Sequence, residues 1–238
     1  MKVNRKWMIL AILFLLLNMA VATQYAVTKV GYVYTIVHPS DASIRYIGSD
    51  NSSDGIRVLR VSGSNVTNIQ LILRLGDMYT SNMKKTFTAA FGIVNEETYP
   101  INITYINVSS SNYTYMKIWL HGNRTANANS TLTDPSSVFM WDNNTIINAT
   151  NTTAWTLAPG DANSSSMCYN VSDRTNCTIP TPWDETAHVR YSINNSNATS
   201  GVSDFVWVQI TVDISNSIES IGAHTGTIWI HLESDAGA

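Results

Sequence analysis

Short runs of alternating apolar and polar residues, divided by turn-forming stretches, make up most of this chain beyond residue 22. In residues 69–75, Ile69, Leu71, Leu73 and Leu75 fall on one face, because successive side chains of a strand point to opposite sides. Val30, Tyr32, Tyr34 and Ile36 repeat that period, and Ile56, Val58 and residues 59–61 follow it less cleanly. Residues 87–94, 101–108, 113–120, 205–214 and 225–232 continue the pattern. In the last, Ile228 and Ile230 alternate with Thr227, Trp229 and His231. Val, Ile, Thr, Tyr and Trp dominate, as a pleated, half-buried surface requires. Beyond residue 22 no window keeps a 3.6-residue apolar stripe. The pattern predicts an all-β fold, a β-sandwich or jelly roll of many short strands.

Between residues 121 and 182 the texture changes: Asn, Ser and Thr dominate, and only residues 137–141 and 153–157 alternate like strands. The expected organisation is a sandwich head over residues 38–238, interrupted by a long Asn/Ser/Thr-rich excursion over 121–182. Residues 1–22 have the form of a secretory leader. Lys2, Arg5 and Lys6 precede an apolar run over residues 7–22 that ends on Ala20-Val21-Ala22, a small-x-small cleavage signal. The run falls short of the roughly 20 residues that span a bilayer comfortably. The expected mature chain therefore starts at Thr23, is extracellular or at the cell surface, and has no membrane partner after cleavage; a retained signal anchor is the alternative.

Fifteen Asn-x-Ser/Thr sequons agree with export. They begin at Asn51, Asn65, Asn102, Asn107, Asn112, Asn123, Asn129, Asn143, Asn148, Asn151, Asn163, Asn170, Asn176, Asn194 and Asn197. Random placement of 24 Asn among 52 Ser and Thr in 238 residues gives roughly five such acceptors. The excess predicts a surface coated with N-linked glycans. The alternative is that Asn and Thr are enriched because they suit turns and strands.

Charge excludes one class of partner. With the leader removed, the 14 Lys and Arg fall to 11 against 17 Asp and Glu, a net of −6, where nucleic-acid binding needs a basic footprint. Cys168 and Cys177, the only cysteines, are expected to form one disulfide in an exported chain. In the chain-entropy model so short a loop contributes roughly 2–3 kcal/mol. Two cysteines do not make a tetrahedral zinc site, and no His partner is expected nearby.

No catalytic signature emerges. His38, His121, His188, His224 and His231 form no H-E-x-x-H, and there is no G-x-S-x-G, phosphate-binding loop or C-x-x-C-H. The expectation is a non-enzyme without cofactor. Asp50, Ser52 and Asp54, with Gly55, have the spacing of the first half of a calcium loop, yet Val61 stands where its Glu belongs. Turn residues without metal are the plainer account. Seven Trp and eleven Tyr raise a carbohydrate-binding module as a second class. Trp119, Trp207 and Trp229 lie in strand patterns and suit a core, whereas Trp141, Trp155 and Trp183 lie in the polar excursion and suit exposed platforms.

Two phrases rhyme: Leu73-Arg74-Leu75-Gly76-Asp77 and Leu157-Ala158-Pro159-Gly160-Asp161. These resemble the L-x-P-G-D turn of the camelysin/TasA-type biofilm fibre proteins and the related archaeal bundling pilins. Residues 86–95 resemble the strand that follows this turn and ends near an Asn, here Asn95, and residues 99–108 its pair. Residues 226–230 resemble the family's closing strand. Glycosylated archaeal threads are similar in plan. The resemblance covers residues 42–120 and 204–232; Leu75 in place of Pro and the Asn-rich insertion depart from it. It implies a pilus-like or biofilm filament, a homopolymer of jelly-roll subunits that each donate a strand to a neighbour.

Residues 23–37 have the form of such a donor. They begin at the expected mature N-terminus, and Val30, Tyr32, Tyr34 and Ile36 would enter an apolar groove while the main chain completes a sheet. Head-to-tail exchange does not close, so it makes a fibre. The other account makes this segment the first strand of its own sandwich. On function, the filament subunit stands against a non-polymerising secreted carbohydrate-binding or cell-surface β-sandwich glycoprotein.

Overall fold

The computed structural model describes residues 44–52, 55, 57–62, 70–77, 79–110, 114–123, 137–148, 152–160, 166–170, 172–173, 175–182, 184, 187–192, 197–214 and 221–234. The expected leader and the donor segment with Val30, Tyr32, Tyr34 and Ile36 lie outside the described residues.

The described residues form strands and no helix. In chain order the strands are β1 (Ile44–Gly48), β2 (Leu59–Ser62), β3 (Gln70–Leu73), β4 (Lys84–Asn95), β5 (Ile101–Ser110), β6 (Met116–His121) and β7 (Val138–Asp142). They continue with β8 (Thr145–Ile146), β9 (Trp155–Leu157), β10 (Ser166–Asn170), β11 (Thr175–Cys177), β12 (His188–Ser192), β13 (Phe205–Asp213) and β14 (Gly226–Ser234). Six of them form one sheet in the order β1-β4-β13-β6-β7-β8, and a second sheet has the order β14-β5-β9. Both are antiparallel, and both feed one buried cluster: Phe91 and Ile93 from β4 and Val208 from β13 join Ile103, Ile106 and Val108 from β5. Two sheets around a shared core make this a β-sandwich.

The cross-strand register explains which residues enter that core. Val206 stands opposite Ile93 and Val208 opposite Phe91, so these four point to the same side of the larger sheet. Phe205, Trp207 and Gly92 point to the other side, which is also covered. There Tyr191 of β12 meets Phe205 and Trp207 edge-on at 5.3 and 6.4 Å. Thus β13 is buried on both faces from Phe205 to Thr211. This is why its sequence reads as a nearly continuous apolar run and not as a clean alternation. The covering piece is a small sheet of order β11-β10-β12.

The Asn-rich segment is not an excursion from the sandwich. It supplies β7 and β8 to the larger sheet and β9 to the second one. Met140, Trp141, Trp155, Leu157 and Tyr169 from this segment are all core residues. Part of its Asn content is turn chemistry. Asn143 and Asn144 have φ of 39° and 75° and join β7 to β8 between the paired Asp142 and Thr145. A two-residue hairpin turn with both φ positive favours Asn.

The two rhyming phrases do different work. Gly76 takes a φ of 96°, a left-handed turn where Gly is unstrained. Gly160 instead lies so close to the β4 end that an added Cβ would meet the Glu96 Cα at 2.9 Å. That end is fixed by Asn95, which is fully buried. Its Nδ2 donates to the Tyr99 and Ala158 carbonyls, both at 2.9 Å, and its Oδ1 accepts from the Glu97 N–H at 2.9 Å. Replacing Asn95 by Ala strands these three backbone groups and should cost about 2–4 kcal/mol in urea unfolding. Asn144→Gly, at a turn position Gly accepts, should stay within about 0.5 kcal/mol.

Candidate functional site

An apolar groove of about 930 Å³ opens between the two main sheets. Its floor and walls come from strands distant in sequence: Tyr46 of β1, Leu59 of β2, Leu73 of β3, Phe91 of β4, Val108 of β5 and Ile230 of β14. Among the described residues β1 is one edge strand of the larger sheet and β14 one edge strand of the second. Both line the groove, together with Met116 of β6 and Val212 of β13 from inside the larger sheet. The β2–β3 hairpin, paired Leu59 to Leu73, lines one side of it. Ile72 at its wall and Ile221 at its rim are exposed, Ile221 to 93%.

Alternation along β14 creates the apolar wall. Ile228, Ile230 and Leu232 pack against the core, while Thr227, Trp229 and His231 take the opposite face. His231 stacks on Tyr105 with ring centroids 3.6 Å apart. Burial holds its imidazole below the ordinary pKa, with Glu233 acting in the opposite sense. At the groove wall, Tyr79 donates to the Leu75 carbonyl. Its phenol is pushed up to about 12, first by burial and then by the Asp77 carboxylate. The described lining contains no Asn, in a chain with 24 of them.

The sequence candidates fall elsewhere. Cys168 and Cys177 form a disulfide between opposed residues of β10 and β11, with Cα atoms 5.0 Å apart. A histidine does stand beside them, contrary to expectation. His188 lies within 4.8 Å of both sulfurs because β12 pairs with β10. Sulfurs joined to each other are not thiolates, so this grouping is not a zinc site. Of the calcium candidates, Asp50 accepts from the Ala89 N–H at 2.8 Å and anchors its loop to β4. Ser52 is buried, and Asp54 lies outside the described residues.

Trp141 and Trp155, expected as exposed sugar platforms, are only 3% and 2% exposed. Trp119 and Trp207 are buried as the strand pattern predicts, and Trp183 lies outside the described residues. His121 is buried, with Nε2 2.6 Å from the Thr88 carbonyl. Among the sequons, Asn51, Asn176 and Asn197 are exposed, and Asn102, Asn107, Asn123, Asn143, Asn148 and Asn170 are half-buried. Asn65, Asn112, Asn129, Asn151, Asn163 and Asn194 lie outside the described residues.

Sequence reasoning missed the rim at residues 221–225 and Tyr79, although Leu73 and Leu75 had been placed on one apolar face. No family model matches this chain, and no curated protein or solved structure matches it.

Tyr79 gives the groove a pH signature. Its folded-state value lies above the ordinary 10, so the unfolded chain releases this proton first. The stability it contributes is whole below about pH 10 and is lost as pH climbs through about 12. Phenolate absorbance should show a titration step near 12 that Tyr79→Phe removes while the earlier steps remain.

Proposed function

We propose that this chain is an exported, N-glycosylated structural subunit whose copies join by strand donation. In this reading residues 23–37 of one copy lie along β14 of the next and fill the groove. The observation that carries it is the groove itself: an apolar trench lined in part by one described edge strand of each main sheet. A strand placed there would extend the second sheet by main-chain hydrogen bonds while alternate side chains enter the trench. Val30, Tyr32, Tyr34 and Ile36 have the required period of two.

One further observation supports it: the described lining of the trench is largely apolar and has no Asn. Donation between copies is head-to-tail and gives an open filament. The jelly-roll form of the sandwich, the extracellular location and the absence of catalysis belong to the same proposal. The carbohydrate-binding alternative loses the buried Trp141 and Trp155 as platforms.

Electron microscopy of the full chain decides the matter, with filaments expected and monodisperse particles overturning the proposal. Each large apolar side chain moved from water contributes roughly 1.5–3 kcal/mol. Ile230→Asp in the groove or Tyr34→Asp in the donor should therefore raise the concentration needed for assembly by roughly 10- to 150-fold. Deleting residues 23–37 should abolish filaments. Normal fibres from that deletion would show that another segment joins the copies.

A further inference from the structure

The sequons are chemically unequal, and Asn148 and Asn170 mark the two extremes. Asn148 follows β8, and its Nδ2 donates to the Thr104 carbonyl at 2.6 Å and to the Thr152 carbonyl at 3.1 Å. Carbonyl oxygens only accept, so the atom facing both must be the amide nitrogen, with both hydrogens used. The Thr104 carbonyl has a particular need for this donor. In the β5–β14 ladder His231 opposes Tyr105 and Leu232 opposes Ile103, so Thr104 is the bulged residue left out of the pairing. On the other side of β5 the β9 ladder ends at Ile103. Thr104 is 1% exposed, and a buried carbonyl without a donor is costly.

Asn170 is the reverse case. Its Oδ1 accepts from the Ser172 and Asp173 N–H groups at 2.9 and 3.1 Å, an Asx turn at the end of β10. Its Nδ2 makes no hydrogen bond within the described residues.

We infer that Asn148 is a structural amide that carries no glycan in the folded protein, whereas Asn170 is an acceptor of one. The chemistry follows from the bond made. Transfer from a glycosyl donor activated as a phosphate ester forms a bond from the sugar C1 to Nδ2, breaks the C1–O bond to the carrier, and expels one amide proton. A glycosylated amide keeps a single hydrogen. At Asn148 one carbonyl would lose its donor and face a sugar ring, with the Thr104 side already enclosed. At Asn170 the acceptor contacts persist and the sugar leaves from the nitrogen, which no described residue engages.

This rests on the reading that the sequons are used, and the test separates the two. Glycopeptide mapping of the native full chain should find sugar on Asn170 and none on Asn148. Sugar on Asn148 in most folded molecules overturns the inference. Sugar on none of the fifteen sequons overturns the coat and the acceptor role of Asn170 together. One substitution made at two positions then decides the structural half. Asn148→Asp removes both donors, so the melting temperature should fall by about 4–10 °C. Asn170→Asp keeps the accepting oxygen, so it should melt within about 2 °C of the parent. Equal melting of the two variants overturns the assignment of Asn148.

Discussion

The sandwich depends on how its chain leaves the larger sheet. At the end of β4 the backbone crosses from one layer to the other through residues 96–100, which are half-buried or exposed around a fully buried Asn95. Backbone N–H and C=O groups withdrawn from water need partners there. Asn95 supplies them from its side chain, with two donors to the Tyr99 and Ala158 carbonyls and one acceptor for the Glu97 N–H. Its own N–H donates to the Asp204 carbonyl at 2.7 Å, which adds the entry to β13. One residue thus ties β4, the turn into β5, the end of β9 and the start of β13. Asp lacks the donors for this, and Gln would set the amide one methylene farther out. Glu96 next to it extends the tie to the covering layer, pairing Arg45 of β1 at 3.3 Å and accepting from the Arg190 N–H of β12.

The groove lies at the opposite end of the same sheets. Near Asn95, Ile101 of β5 pairs with Leu157, and Ala158 and Gly160 close the layers together. At the other end of β5, Val108 and Ser110 line the trench with Ile228 and Gly226 of β14 opposite them in the ladder. The sandwich is tied by hydrogen bonds near Asn95 and lined in the trench by Ile, Leu and aromatic side chains. The layers are close-packed where the chain crosses and leave a trench where it does not, so the concavity follows from the topology.

Much of this was legible in the sequence. The period-two runs located nine of the strands, since alternation is set by the strand itself. Residues 84–95 and 101–110 fell close to their predicted bounds. What alternation does not carry is which strands become neighbours. That β13 lies between β4 and β6, and so buries Gln209 and Thr211, is a pairing between segments far apart in the chain. Composition misled in the Asn-rich segment because it averages over a few decisive positions. Met140, Trp141, Trp155 and Tyr169 are sparse there, yet β7, β9 and β10 each place one or two residues in the core. Asn itself is one letter with several roles: buried clamp at Asn95, left-handed turn at Asn143 and Asn144, carbonyl donor at Asn148. Only the geometry separates these from an exposed Asn such as Asn51.

The composition of the border strand argues for what it meets. Strands at the margin of a sheet are commonly blunted by Lys, Pro or inward charge, because an apolar margin pairs indiscriminately with other chains. Residues 226–234 contain no Lys, Arg or Pro, and Glu233 is their only formal charge. Trp229, Ile228 and Ile230 make this a strand suited to burial, placed where the sheet ends among the described residues. In the proposed assembly, selectivity comes from depth instead of charge. A partner must offer an extended main chain and large apolar side chains at alternate positions, and it must pass a surface crowded with sugars. Bulk at the sequons and a trench whose described lining has no Asn would then act together, the first excluding lateral pairing and the second admitting one slender strand.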